Sequence, residues 1–452
     1  MSARRTELAV VAALALIAVL AWALVPTYPN YDAYYHLAWG REITGGHLPT
    51  FGAYQAPTEH PLYLALCAVL GLVGEHADRL LVLLTCLCHV AFTYAVYRLG
   101  TAIWDRRAGL AAALLAGSSF ALLLYAARAY VDEPFLALVL WAAALEAERP
   151  RRGGPVWVLL VLAGLLRPEA WVLGGLYWLW VGPRPRRLAL VLVAPVLWCV
   201  VDAVVTGDPL FSLHATSDLA DELNRSRSFS EVPGDFVSFL ADTARLPVAV
   251  AGVLGALWAW RRREGRSTHV ALALFAAGTF TFFVTSIAGL SVLPRYLTVP
   301  AVALCLPAGW LVTRTRWLLA VAVVAGVAFV VVRADAFGKL ATELRFIRST
   351  HDDLSAVLHT PQVRAGRRCG AVTLPNYRLV PDTRWILDAT QRQVGSRSAR
   401  TRTSGVALLL VGDKLLRRYG FADGASPRTN APPDGFVRAV RRGGFTAYVG
   451  CP

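Results

Sequence analysis

The residues best suited to chemistry follow the first hydrophobic run, in Tyr31-Asp32-Ala33-Tyr34-Tyr35-His36. Asp32 and His36 are four apart, so a helix would place them on one face. A carboxylate among aromatic rings can take the proton of an attacking hydroxyl, and the imidazole can bind a phosphate or a metal. Other polar residues recur at the ends of apolar segments: Glu59-His60, Arg128 with Asp132-Glu133, Arg167 with Glu169, Asp202, Asp208 and Arg295-Tyr296. Ionisable groups at membrane depth are costly and tend to be functional. An arginine there can hold a phosphate in forked geometry. Plainer uses exist for each. Asp32 could cap a helix. Asp132-Glu133-Pro134 has the acids and proline that a helix start favours. Glu169 could simply pair with Arg167, Arg295-Tyr296 could anchor a span at the interface, and Glu59-His60 could cap the helix beginning at Pro61.

The elements that must position these residues are apolar. The 452-residue chain is 56% hydrophobic, with a mean hydropathy of +0.49. Runs such as Leu8–Val25 and Trp317–Val332 carry no charge and approach or reach the length that crosses about 30 Å of hydrocarbon as helix. These features describe a polytopic α-helical membrane protein. Alternating β-barrel segments are absent. The first run follows Arg4-Arg5 and leads directly into the aromatic loop, so it reads as an uncleaved span rather than a signal peptide.

Charge fixes the expected topology. Pro61–Gly74 is apolar but short, which suits an interfacial helix better than a span. If it lies in the interface, Arg106-Arg107, Arg149/Arg151/Arg152, Arg184/Arg186/Arg187, Arg261–Arg263 with Arg266, and Arg314/Arg316 share the side of Arg4-Arg5. The opposite segments hold only Arg41, Arg128, Arg167, Arg225, Arg227 and Arg295. Counting Arg98 inside, and Arg79, Arg245 and Arg333 outside, keeps the same direction of bias. The positive-inside tendency then gives about eleven spans, near 7–26, 79–100, 108–126, 134–147, 155–166, 168–182, 188–205, 244–260, 268–288, 297–313 and 316–333. The amino terminus is expected in the cytoplasm, the tail outside, and the protein in the plasma membrane.

Residues 1–333 are thus expected to form a transmembrane domain and 334–452 a small extracytoplasmic α/β domain. The tail has strand-like pieces at Gly370–Leu374, Gly405–Val411 and Thr446–Val449, separated by turn residues. Ser396–Thr403 reads as a basic loop. The tail holds 19 Lys/Arg against 9 Asp/Glu, so much of the net charge of +15 is exported, towards lipid phosphates or wall polymers or as ordinary solvated surface. Cys67, Cys86, Cys88, Cys199 and Cys305 sit in apolar runs and read as small hydrophobes. Cys369 precedes the first strand-like piece and Cys451 follows the last, so neighbouring strands could bring them into a disulfide in an oxidising compartment. No Cys/His metal spacing, internal repeat or nucleic-acid-binding motif is present.

In order along the chain these residues resemble the GT-C superfamily of polyprenyl-phosphate-dependent glycosyltransferases. That superfamily includes protein O-mannosyltransferases, aminoarabinose transferases acting on lipid A, and actinobacterial mannosyl- and arabinosyltransferases. The resemblance spans about residues 1–335. It rests on Tyr31-Asp32-Ala33-Tyr34-Tyr35-His36-Leu37, His60-Pro61-Leu62-Tyr63, Arg128-Ala-Tyr-Val-Asp132-Glu133-Pro134, Leu166-Arg167-Pro168-Glu169 and Leu293-Pro294-Arg295-Tyr296-Leu297. Many members carry two adjacent acids in the first loop, where this chain has Asp32-Ala33. The Trp-Trp-Asp-Tyr-Gly motif of oligosaccharyltransferases is missing from the tail.

The resemblance implies a GT-C fold with interfacial helices in the first external loop. It implies a polyprenyl-phosphate sugar as donor and an extracytoplasmic glycan, lipid or protein as acceptor. Asp32 would act as general base in an inverting displacement. Arg295, Arg128 and Arg167 would hold the donor phosphate. His36, Asp132, Glu133, Glu59, His60, Glu169 and Tyr296 would bind substrate or a divalent metal, a cofactor the residues leave open. No nucleotide-sugar site is needed, in keeping with the lack of a Gly-rich phosphate loop. Two other classes compete. A flippase for a lipid-linked saccharide would need polar residues through the bilayer depth and preferably repeat symmetry, whereas the ionisable residues here gather at one face. A non-catalytic envelope scaffold is opposed only by Asp32.

Overall fold

A computed structural model describes residues 3–222, 230–332, 334–420 and 427–451. Arg225, Arg227 and Arg333 of the charge comparison lie outside the described residues. The chain forms two compact units. One comprises Met1–Val25, His60–Tyr63 and Val82–Leu340, and the other Pro26–Glu59, Leu64–Leu81 and Ala341–Pro452. Most of the loop after the first helix therefore counts with the carboxy-terminal region, whereas a division at 333/334 would group it with the spans.

The protein is mostly helical and multi-pass. Among the described residues five helices are long and apolar enough to cross a membrane: Arg5–Leu24, Gly74–Ile103, Pro185–Thr206, Thr268–Ile287 and Pro294–Thr313. Two more spans result if each bent pair is counted as one. Arg106–Gly117 and Phe120–Ala127 meet at 62°, and Val232–Ala244 and Leu246–Arg262 at 100°. Asp132–Glu148, Gly154–Gly164, Glu169–Val181 and Arg316–Val332 are the shorter helices where the sequence expects further spans. Val232–Ala244 falls between the expected spans near 188–205 and 244–260. Its apolar face carries Val232, Phe236, Phe239 and Leu240 onto Phe282 and Leu297, and Pro near its first turn suits a helix start.

In the membrane unit, burial sorts the helices. The apolar window of Arg5–Leu24 is 0% buried and that of Pro294–Thr313 is 78% buried. Outer helices present Leu, Ile and Val outward, as a lipid-facing surface does. Small residues bring the central helices close. A Cβ on Gly252 would lie 2.6 Å from the Leu304 carbonyl oxygen, and one on Gly309 would lie 2.5 Å from the Ala112 nitrogen.

The bends free backbone carbonyls, and side chains take them up. His89 Nε2 donates to the Gly117 carbonyl at 3.0 Å. Arg245 donates to the Leu115 carbonyl and, at 3.3 Å, to Ser118 Oγ. Thr85 Oγ1 donates to the Ala126 carbonyl at 2.7 Å.

The other unit contains a five-stranded sheet: β1 (Val372–Leu374), β2 (Val394–Ser396), β3 (Gly405–Leu410), β4 (Val437–Arg442) and β5 (Phe445–Gly450). The order is β2-β1-β3-β5-β4. β1 runs parallel to both β2 and β3, while β5 is antiparallel to β3 and β4. β3 (Gly-Val-Ala-Leu-Leu-Leu) is buried throughout, as a central strand should be. Leu354, Val357 and Leu358 from the helix Ala334–Leu358 join it in one core.

β2 and β4 lack a readable signal. The first has three residues, and the second is a charged edge strand carrying Arg438, Arg441 and Arg442. The expected basic loop at Ser396–Thr403 begins inside β2, and Arg397 is buried. Its guanidinium donates to the carbonyls of Thr373, Leu408 and Thr429. Cys369 and Cys451 are disulfide-bonded, with Cα atoms 5.3 Å apart.

Two helices that follow the first span are too short to cross a membrane. Tyr31–Thr44 has 14 residues and Pro61–Gly71 has 11, the latter about 16 Å long. They pack closely where the chain has glycine: a Cβ on Gly40 would lie 2.6 Å from the Cys67 carbonyl carbon.

Candidate active site

The expected residues fall in both units. In the unit with the sheet, Asp32 opens the helix Tyr31–Thr44. The N-cap is Asn30, whose side chain accepts from the Ala33 amide at 3.1 Å. Asp32 therefore occupies the first turn without serving as the cap, and the helix dipole favours its negative charge. It is half-buried, whereas residues 33–40 are buried.

The aromatic neighbours are engaged in structure. Tyr31 donates to the Gln55 carbonyl at 2.7 Å and Tyr34 donates to Asp78 Oδ2 at 3.1 Å. Burial raises the pKa of the Tyr31, Tyr34 and Tyr35 hydroxyls, keeping all three protonated. His36 is fully buried, edge-on to Trp39 at 5.1 Å between ring centroids. Desolvation lowers its pKa to about 4. The neutral imidazole donates from Nδ1 to the Asp32 carbonyl at 2.7 Å, so it orders the turn that carries Asp32. Glu59 is buried, close to the end of this loop.

In the membrane unit, Asp132 and Glu133 begin the helix Asp132–Glu148, both wholly buried. Arg167, also buried, donates one nitrogen to Asp132 Oδ1 and another to Glu169 Oε1. Its guanidinium carbon lies 5.3 Å from the Phe135 ring centroid and 5.1 Å from that of Tyr296. The plainer expectation, pairing with Glu169, thus holds and extends to Asp132.

Glu133 Oε2 is 3.0 Å from His89 Nδ1. Because His89 Nε2 donates to Gly117, a proton shared on the Nδ1 side links imidazole and carboxylate. Asp132 Oδ2 and Glu133 Oε1 are buried without a protein hydrogen-bond partner. Arg295 begins the turn Pro294–Leu297, 5.9 Å from the Tyr296 ring centroid, and within electrostatic reach of Arg167 and Tyr125. Arg128 ends the helix Phe120–Ala127.

The segment His60–Tyr63 joins these loops. Tyr63 donates to the Ala129 carbonyl at 2.6 Å, and the Leu62 amide donates to the Leu165 carbonyl at 3.1 Å. Ala129 has φ +52, a left-handed conformation that a non-glycine residue adopts under constraint. His60 packs edge-on to Trp198 at 5.8 Å. Asp202 is engaged elsewhere, accepting from the Ser212 amide and hydroxyl, and exposed Asp208 pairs with His214.

Two contributors escaped the sequence reading. His89 lies in the middle of an apolar run, which is a recognisable signal. His351, 3.3 Å from the Tyr34 hydroxyl, had none. Among the described residues no group of three or more His, Cys, Asp or Glu side chains could hold a metal ion. His36, Asp132, Glu133, Glu59, His60 and Glu169, expected to bind substrate or a metal, do not form such a group there.

The sequence matches no family model and no curated protein. Solved structures share its fold. ArnT from Cupriavidus metallidurans bound to undecaprenyl phosphate aligns with a TM-score of 0.60 at 14% identity, covering 98% of this chain and 97% of that one. The apo form of the same protein aligns at 0.59 with 16% identity, covering 99% and 98%. The fold is therefore shared with ArnT over nearly the whole length of both chains.

Proposed function

We propose that this chain is a membrane glycosyltransferase. It moves a sugar from a polyprenyl-phosphate donor to a hydroxyl of an extracytoplasmic glycan, lipid or protein. The observation that carries this reading is the end-to-end fold match to a protein solved with undecaprenyl phosphate. The buried acidic groups and the arginines at the helix ends agree with it. The sugar is a hexose or pentose, as the resemblance to mannosyl- and arabinosyltransferases implies. The reading places the amino terminus in the cytoplasm and residues 334–452 outside, following the charge bias of the loops.

Asp32 takes the acceptor's proton while its oxygen attacks the anomeric carbon. The bond from that carbon to the phosphate oxygen breaks, and its electron pair leaves with the polyprenyl phosphate. One such displacement inverts the anomeric configuration. Arg295 and Arg128 stabilise the departing phosphate. Arg167, already held by two carboxylates, keeps Asp132 and Glu169 in place. The buried oxygens Asp132 Oδ2 and Glu133 Oε1 can accept hydrogen bonds from sugar hydroxyls.

The test is transfer by the purified protein from a panel of polyprenyl-phosphate sugars, with the anomeric configuration of the product determined. Transfer with inversion supports the reading, and retention overturns the single displacement. If no donor yields transfer while a lipid-linked saccharide crosses proteoliposome leaflets, the chain is a flippase instead.

A further inference from the structure

The helix bearing Asp32 is held along its length by residues distant in sequence but within the same compact unit. Near its start, Tyr31 packs edge-on to Tyr377 at 5.6 Å between centroids. One turn on, the Tyr34 hydroxyl lies 3.3 Å from His351 Nδ1 while donating to Asp78. At the far end the ties are ionic. Arg384, with 1% exposure, donates to Glu42 Oε1 at 2.6 Å and to Gln391 Oε1 at 3.1 Å. Glu42 also accepts from the Thr50 amide at 2.8 Å. Beside it, Arg41 donates to the Trp385 carbonyl at 2.8 Å and pairs with Asp388 at 3.2 Å, its guanidinium 3.3 Å from the Trp385 ring centroid.

We propose that Glu42 and Arg384 are positioning residues, through which the carboxy-terminal region sets the angle of the Asp32 helix. This rests on the reading of Asp32 as the base. Asp32 lies about 15 Å along the helix from Glu42. A tilt of about 4° at the clamped end would shift the carboxylate by about 1 Å, a displacement that can cost on the order of 10²-fold in rate. The Glu42–Arg384 pair suits this role because Arg384 is buried, the Glu42 side chain is only 13% exposed, and several hydrogen-bond partners fix its geometry. The Arg41–Asp388 pair is open to water on the Asp388 side, at 84% side-chain exposure, and contributes less.

The test uses full-length protein. Arg384→Gln should lower kcat by roughly 10- to 100-fold with the donor KM within about twofold, and Arg384→Lys should recover part of it. Hydrogen exchange at the amides of Ala33–Leu37 should quicken in Arg384→Gln, while β3 stays protected. Should that single variant fail to fold, Glu42→Gln with Arg384→Gln removes both charges and keeps hydrogen bonding, and the same readouts apply. Unchanged exchange over Ala33–Leu37 overturns the proposal whatever the turnover. Faster exchange with unchanged turnover overturns it too, because the pair would then hold the helix without serving the reaction. Asp32→Asn separates the two ideas. Normal turnover in that variant removes Asp32 as base, while the exchange result alone decides whether the clamp exists.

Discussion

The two groups of candidate residues solve opposite electrostatic problems. In the sheet-bearing unit, Asp32 stands half-buried beside protonated phenols and a neutral imidazole. In the membrane unit, Asp132, Glu133 and Glu169 are buried against a guanidinium and an imidazole that bind them directly. A carboxylate that must take and release a proton needs surroundings whose charge does not change with it. A carboxylate that must stay in place needs a fixed counter-charge. On the proposed reading, similar residue types serve proton transfer in one unit and placement in the other.

The strongest way to break this contrast is Asp32→Asn. As base, Asp32 should account for roughly 10²–10⁴-fold of turnover, with fold and donor binding retained because Asn30 still caps the helix. Near-normal transfer would remove the contrast. Arg167→Ala should act on stability, since it leaves Asp132 and Glu169 buried without their cation. A loss of about 3–5 kcal/mol is expected, read as a lowered unfolding temperature in detergent. If stability holds while only donor affinity falls, Arg167 is a phosphate ligand after all.

Smaller effects sharpen the description of the sheet-bearing unit. Replacing Cys369 and Cys451 by alanine should destabilise the sheet by about 2–4 kcal/mol, measured by denaturant unfolding of the full chain. His36 gives a pH signature. Its folded pKa of about 4 lies below the unfolded value of 6.5. Between these values the unfolded chain binds a proton that the folded chain does not. Stability from this residue is therefore full above pH 6.5 and lost as pH falls towards 4, by up to about 3 kcal/mol. His36→Asn should flatten that part of the unfolding profile, and an unchanged profile would remove His36 as its source. Asp388→Ala should change stability by under about 1 kcal/mol, against a much larger loss for Arg384→Gln. Equal losses would show that exposure does not rank the two ion pairs.

Much was legible in the sequence because a bilayer is a demanding solvent. Long apolar runs with few charges marked the helices at Arg5–Leu24, Pro185–Thr206 and Thr268–Ile287. Polar residues at the ends of such runs marked Asp32, Asp132, Glu133, Arg167 and Arg295. The apolar run Gly405–Leu410 announced β3, and the cysteines outside the first and last strand-like pieces announced the disulfide. Hydropathy does not encode direction changes, so the 62° and 100° bends were unreadable.

Partner choice depended on tertiary structure. Arg167 on Asp132, His89 on Glu133, and Arg384 on Glu42 join residues from separate helices or loops, whereas the Arg167–Glu169 pair is local and was readable. By itself the sequence determined which residues are too costly to bury alone. Only the folded chain decided which groups compensate them, because desolvation is a property of the residue, whereas pairing requires two groups to arrive within hydrogen-bond distance.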